Sequence, residues 1–132
     1  FYTDVMADKA EKVYALDFSG DMLDYYREKR VPENVELINS EARNTGLEDD
    51  SIDVIFSITT LHELSEDAFD EMARVVAEDG TIFVHDWSAR SGSSRGPPAE
   101  HLYTAEVSER FGQRGFKVDS EEKGDFFRVT AR

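Results

Sequence analysis

Apolar and polar positions alternate along this chain in two periods, and the change from one to the other marks the elements. Thr3 to Ala10 has helical spacing with Val5 and Met6 expected inward, and Lys12 to Asp17 (KVYALD) is a short strand. Ser19 then caps a helix running to about Lys29, with Asp21 in its first turn, where negative charge suits the helix dipole; Pro32 stops it. Val35 to Asn39 (VELIN) and Ile52 to Ser57 (IDVIFS) are the next strands, separated by an acidic loop that holds Gly46. A helix begins after Ser65, carries Ala68, Phe69, Met72, Ala73 and Val76 at helical spacing, and is expected to end in a turn at Asp79 and Gly80. Thr81 to Asp86 (TIFVHD) is a nearly continuous apolar strand of the kind covered on both faces, so it should be central. Ser88 to Pro98 is a loop rich in Ser, Gly and Pro, and Thr104 to Arg114 a helix with Val107 and Phe111 four apart and Gly115 beyond its end. Phe116 to Glu121 and Phe126 to Ala131 close the chain as strands, and their short connection through Lys123 and Gly124 requires an antiparallel hairpin.

Strand and helix alternate until that hairpin. The predicted class is therefore α/β, with a Rossmann-like, doubly wound, mostly parallel sheet in one domain spanning residues 1–132. A right-handed crossover needs a strand before its helix, whereas Phe1 leads directly into one. The pattern is expected to lack its first strand upstream of Phe1.

Composition narrows the chemistry. The 132 residues, 39% of them hydrophobic, can bury one ordinary core, and no apolar run approaches the ~20 residues that span a bilayer. With no basic-then-apolar leader either, the expected location is cytoplasmic, away from membranes. The absence of cysteine excludes disulfides, thiolate metal sites and cysteine nucleophiles. A formal net charge of -14 repels phosphate backbones, and no basic stripe offsets it, so a small-molecule substrate is expected and nucleic acid is not. Arg outnumbers Lys among the bases. Such an acidic, Lys-poor chain suits a salt-rich, halophilic cytoplasm, where screening relieves self-repulsion, but equally an ordinary acidic protein.

In doubly wound sheets ligands lie beyond the carboxyl ends of the strands. Asp17 ends the first predicted strand. Its carboxylate could accept from both hydroxyls of an adenosine ribose, or only cap the turn before Ser19.

Three segments in order extend this beyond one residue: FYTDVMADKAEKVYALDFSGDML, INSEARNTGLEDDSIDVIFSITTLHEL and RVVAEDGTIFVHDW. Together they resemble the type 11 group of class I, S-adenosylmethionine-dependent methyltransferases, which act mainly on small molecules. The resemblance implies that Asp17 binds the ribose, with Phe18 and Met22 packed near the adenine. It implies that Glu41 accepts from the adenine amino group, where Asp is commoner, and that Ala42 offers its backbone N–H. Ser57 and Ile58 would border the methionine portion, Leu61 and His62 would wall the reacting centre, and Phe1 and Tyr2 would lie under the cofactor.

The family's GxGxG turn has no counterpart here, since Gly92 and Gly96 follow the wrong strand. Glycines there let the backbone approach the cofactor, so residues 1–132 alone are expected to bind it weakly, and, with a central strand missing and its neighbours' edges unpaired, to fold poorly. The strand before that turn is expected between the Lys12 to Asp17 and Ile52 to Ser57 strands. Candidate bases for methyl transfer are His62, His85 and Asp86, with Tyr103 as an orienting group. No metal-site spacing is present. Two other readings stay open, an NAD-dependent oxidoreductase and a catalytically silent, protein-binding methyltransferase-like subunit.

Overall fold

The computed structural model describes residues 2–89 and 102–132. They fall into two units, Phe1–Gly46 and Leu47–Arg132.

In the first unit a helix, α1 (Tyr2–Ala7), precedes strand β1 (Val13–Asp17), helix α2 (Gly20–Glu28) and strand β2 (Val35–Asn39). The two strands pair in parallel from Val13 opposite Val35 to Asp17 opposite Asn39, so α2 is the crossover that a parallel pair requires. Its start follows from Ser19, whose extended backbone and side-chain oxygen satisfy the Met22 N–H at 3.3 Å. Leu23 and Tyr26 are buried, and the Tyr26 hydroxyl donates to Asp4 Oδ1 at 2.7 Å, fastening α2 to α1. The expectation for Val5 is corrected: it is 60% exposed, because the inner face of α1 runs through Asp4 and the buried Ala7. Asn34 closes the end of α1 by donating its amide to the carbonyls of Ala7 and Ala10, both at 2.9 Å.

The second unit contains β3 (Ile52–Ile58), a 3-10 turn at Leu61–Glu63, α3 (Glu66–Val75), β4 (Val76–Trp87), α4 (Thr104–Gln113), β5 (Val118–Lys123) and β6 (Phe126–Ala131). Its sheet has the order β3-β4-β6-β5; β4 is interior and parallel to β3, and β6 runs antiparallel to both its neighbours. The α/β pattern of parallel strand pairs followed by a terminal antiparallel hairpin is thus the observed one, and Gly124 (φ 63°) provides the left-handed position that its tight turn needs. Phe69, Phe111, Ile82, Val84, Val107 and Val129 form a core in which none is more than marginally exposed.

Two boundaries differ from the sequence reading. Helix α3 stops at Val75, and Val76 opens β4 opposite Ile52 instead of completing the helix. The pairing then slips, so that Val54 faces Thr81, and the expected turn at Asp79 and Gly80 is an irregularity within the strand. Only glycine fits there: a Cβ on Gly80 would stand 2.6 Å from Val76 Cγ2 and 2.9 Å from the Ala77 carbonyl. At the other end Phe116 remains tied to the close of α4, its N–H donating to Phe111 O at 3.2 Å, so β5 begins at Val118.

Strand β4 is covered unequally. Ile82, Val84 and Asp86 are buried while Phe83, His85 and Trp87 on the opposite face are half-buried. Among the described residues, β1 and β3 are each hydrogen-bonded to one neighbouring strand.

Candidate functional site

The candidates form two groups, one in each unit. In the first, Asp17 ends β1 and its Oδ1 accepts the Ser19 N–H at 2.9 Å. The carboxylate therefore does cap the turn, and this uses one oxygen. Asn39, opposite on β2, holds the same turn by donating its amide to the carbonyls of Asp17 (3.1 Å) and Phe18 (2.9 Å). With the backbone so fixed, Phe18 is left 74% exposed and Met22 47% exposed, two apolar side chains beside an acid. Glu41 pairs with the Arg43 guanidinium in the loop after β2, and Ala42 in that loop is half-buried. Tyr2 is 64% exposed, and Phe1 lies outside the described residues.

In the second unit the ends of β3 and β4 carry the other group. Strand pairing sets Ser57 beside Val84, hence on the same side as Asp86, and Ile58 beside His85. The chain leaves β3 through Thr59, a β-branched residue in the left-handed region (φ 49°), whose N–H donates to His85 O at 2.7 Å. Such a conformation costs about 1–3 kcal/mol and persists only where surrounding contacts impose it. Here it turns the chain so that the Leu61–Glu63 turn lies over the end of β4.

That turn brings His62 onto Asp86. The imidazole Nδ1 lies 2.7 Å from Asp86 Oδ1, the His62 N–H donates to Oδ2 at 3.1 Å, and the Trp87 N–H donates to Oδ1 at 2.8 Å. Asp86 is 0% exposed, so its carboxylate is wholly occupied by three donors from the protein. A carboxylate only accepts, and Nδ1 must therefore carry the proton, which leaves Nε2 of a neutral ring as a lone pair. That atom is buried without a hydrogen-bond partner among the described residues, as is Ser57 Oγ. The exposed Glu63 carboxylate lies 3.8 Å from it.

The structure thus unites His62 with Asp86 and separates His85 from both. His85 stacks on Phe126 with ring centroids 4.9 Å apart, on the opposite face of β4. Tyr103 serves as the backbone cap of α4 and is 49% exposed. Of the Ser88 to Pro98 loop, residues 90–98 lie outside the described residues, while Ser88 pairs with Leu102. Glu63 and Thr59 had drawn no notice in the sequence; their only signal was adjacency to His62 and to the end of β3. Among the described residues no three His, Asp or Glu side chains converge as metal ligands, and no helix is long and apolar enough to cross a membrane.

A family model described as "Methyltransferase domain", of type 11, matches residues 1–84, well over half of the chain. The chain belongs to the type 11 methyltransferase family. Among solved structures, a SAM-dependent methyltransferase from Aquifex aeolicus is 34% identical, with 91% of this chain and 68% of that one covered and a TM-score of 0.78. A structure of DhpI in complex with SAH matches at 20% identity over 100% of this chain and 71% of its own, with a TM-score of 0.81. The PH0226 protein from Pyrococcus horikoshii matches at 18% identity over 99% and 76%, with a TM-score of 0.79. The last two carry the fold alone. Nothing matches among the curated proteins. For this type 11 methyltransferase the family match includes Asp17, Glu41, Ser57 and His62 and stops before His85 and Asp86.

Proposed function

We propose that this chain uses S-adenosylmethionine to methylate a small-molecule acceptor that must lose a proton, with His62 as the base. The observation that carries the reading is the buried His62–Asp86 pair, whose Nε2 has no hydrogen-bond partner among the described residues.

When bound, S-adenosylmethionine supplies an electrophilic methyl group on a sulfonium. The residues of the first unit suit its adenosine end. Asp17 keeps a carboxylate oxygen that no described residue bonds, and a ribose offers hydroxyl donors to it. Phe18 and Met22 present apolar surface to the adenine, Ala42 offers its backbone N–H, and Tyr2 adds an exposed ring. Glu41 takes the adenine amino group if it exchanges its pairing with Arg43. Ser57 and Ile58 border the methionine portion.

Catalysis then rests on alignment and on proton removal. Asp86 fixes the tautomer of His62 through Nδ1 and anchors its backbone N–H as well, so the ring cannot swing away. The Nε2 lone pair accepts the proton that the acceptor gives up as its oxygen, nitrogen or carbon forms the new bond to methyl. His85, on the other face, has no part in this step.

Two measurements test the reading. Calorimetry should find S-adenosylmethionine binding weakened about tenfold or more by Asp17→Ala, in line with about 1.5–3 kcal/mol for hydrogen bonds to a charged group. Incubation with labelled S-adenosylmethionine and phenols, alcohols, primary amines and 1,3-dicarbonyl compounds should transfer label in the wild type, and about 10²-fold or more slowly in His62→Gln. Equal rates in the two proteins would remove His62 from the mechanism.

A further inference from the structure

The base reading leaves a proton to be discharged. His62's side chain is 4% exposed, and its buried Nε2 has no hydrogen-bonding partner among the described residues. Asp86 cannot take the proton onward, being fully buried and already accepting from His62 Nδ1, the His62 N–H and the Trp87 N–H. Among the described residues, the carboxylates within 4 Å of the ring nitrogens are Asp86 on Nδ1 and Glu63 on Nε2. Glu63 differs from Asp86 in the respect that matters here. Its side chain is 63% exposed and its Oε1 lies 3.8 Å from Nε2, about half an ångström to an ångström beyond a hydrogen bond. An exposed glutamate can close that gap by a rotamer change, or a water can bridge it.

We propose that Glu63 relays the proton of His62 to solvent. This rests on His62 being the base. The proton leaves the acceptor for Nε2 as the acceptor's electron pair forms the bond to methyl and the methyl's bond to the sulfonium sulfur breaks, its electron pair staying on the departing thioether; the proton then passes from the imidazolium to Glu63 Oε1, and goes from the carboxylic acid to water. His62 is neutral again, and Glu63 again a carboxylate. Before release, the imidazolium sits between Asp86 at 2.7 Å and Glu63 at 3.8 Å, so both carboxylates stabilise it. Because Glu63 is largely in water, its share is the smaller.

The test is nitrogen NMR of the His62 ring in the ligand-free protein, which measures at one fixed pH how fast the ring exchanges its proton with water, with Glu63→Gln against wild type and the signal assigned through His62→Gln. Glu63 is exposed, so the glutamine variant is expected to fold normally. Removing the carrier should slow that exchange several-fold, and added buffer should restore it. Glu63→Gln should also slow methyl transfer to a phenol more at low than at high buffer concentration, because buffer can replace a proton carrier. Exchange as fast in Glu63→Gln as in the wild type at low buffer concentration overturns the relay. If His62→Gln transfers methyl at the wild-type rate, the base reading fails instead. An impaired His62→Gln with an unchanged exchange rate in Glu63→Gln removes the relay alone.

Discussion

Replacing Asp86 with Asn tests the assembly of the second unit because it changes charge and hydrogen-bonding without changing shape. The carboxylate accepts three N–H groups, two on Oδ1 and one on Oδ2. An amide cannot match that set in either orientation. With its oxygen in the Oδ1 position it keeps Nδ1 and the Trp87 N–H, but turns an NH2 toward the His62 N–H. With the oxygen at Oδ2 it keeps the His62 N–H, but opposes the Trp87 N–H and forces the imidazole into its other tautomer. Each arrangement leaves at least one backbone donor buried and unsatisfied, at about 1–3 kcal/mol, and exchanges charge-assisted bonds for neutral ones. The expected loss is about 2–4 kcal/mol, a large part of an ordinary domain's stability. Equilibrium urea unfolding measures it, and nitrogen NMR of the ring reports the tautomer. A loss below about 1 kcal/mol with Nδ1 still protonated would refute the reasoning, because it would mean that the carboxylate holds nothing the amide cannot.

Other expectations rest on separate features. Gly80→Ala should cost about 1–3 kcal/mol by urea unfolding, since a Cβ would meet Val76 Cγ2 at 2.6 Å and the Ala77 carbonyl at 2.9 Å; an unchanged midpoint would show that the β4 irregularity relaxes freely. Burial and the bond to Asp4 push the Tyr26 hydroxyl up to about 12, so its contribution to stability is full below its ordinary value of 10.0 and is lost as pH rises toward 12. Tyr26→Phe should abolish that alkaline loss, and wild-type and variant unfolding curves that stay parallel from about pH 9 to 12 would contradict it. The same bond lowers the Asp4 carboxyl, so its contribution holds above the ordinary value of 3.8 and fades as pH falls through the lowered one. With a net charge of -14, the thermal midpoint should rise as KCl goes from about 0.1 to 2 M; a fall would show that attractive ion pairs outweigh self-repulsion.

Much of the fold was legible because its signals are local. Ser19 announces the start of α2 through an oxygen that reaches a neighbouring N–H, Pro32 forbids the helix from running on, and Gly124 allows the tight turn of the hairpin. Each acts within a few residues and needs no partner from elsewhere. The succession of segments from Phe1 to Trp87 likewise pointed to the methyltransferase family without any knowledge of packing. Where a local signal competed with a distant one, the sequence misled. Val76 fits the apolar stripe of α3, but it belongs to β4, where the edge of β3 offers its backbone a pairing that a further helical turn could not.

The site divides in the same way. The sequence by itself determined which residues had chemistry to offer: Asp17 at a strand end, His62 in a loop, and His85 with Asp86 at the end of an apolar strand. It could not choose among them, because neighbouring strand residues point to opposite faces and the sequence does not say which face the helices cover. Tertiary structure decided that Asp86 faces the core and His85 does not, and it brought His62, 24 residues earlier, onto the buried carboxylate. The physical reason is that a carboxylate without solvent must find its donors within the fold. The strained turn at Thr59 is where the chain bends to deliver them.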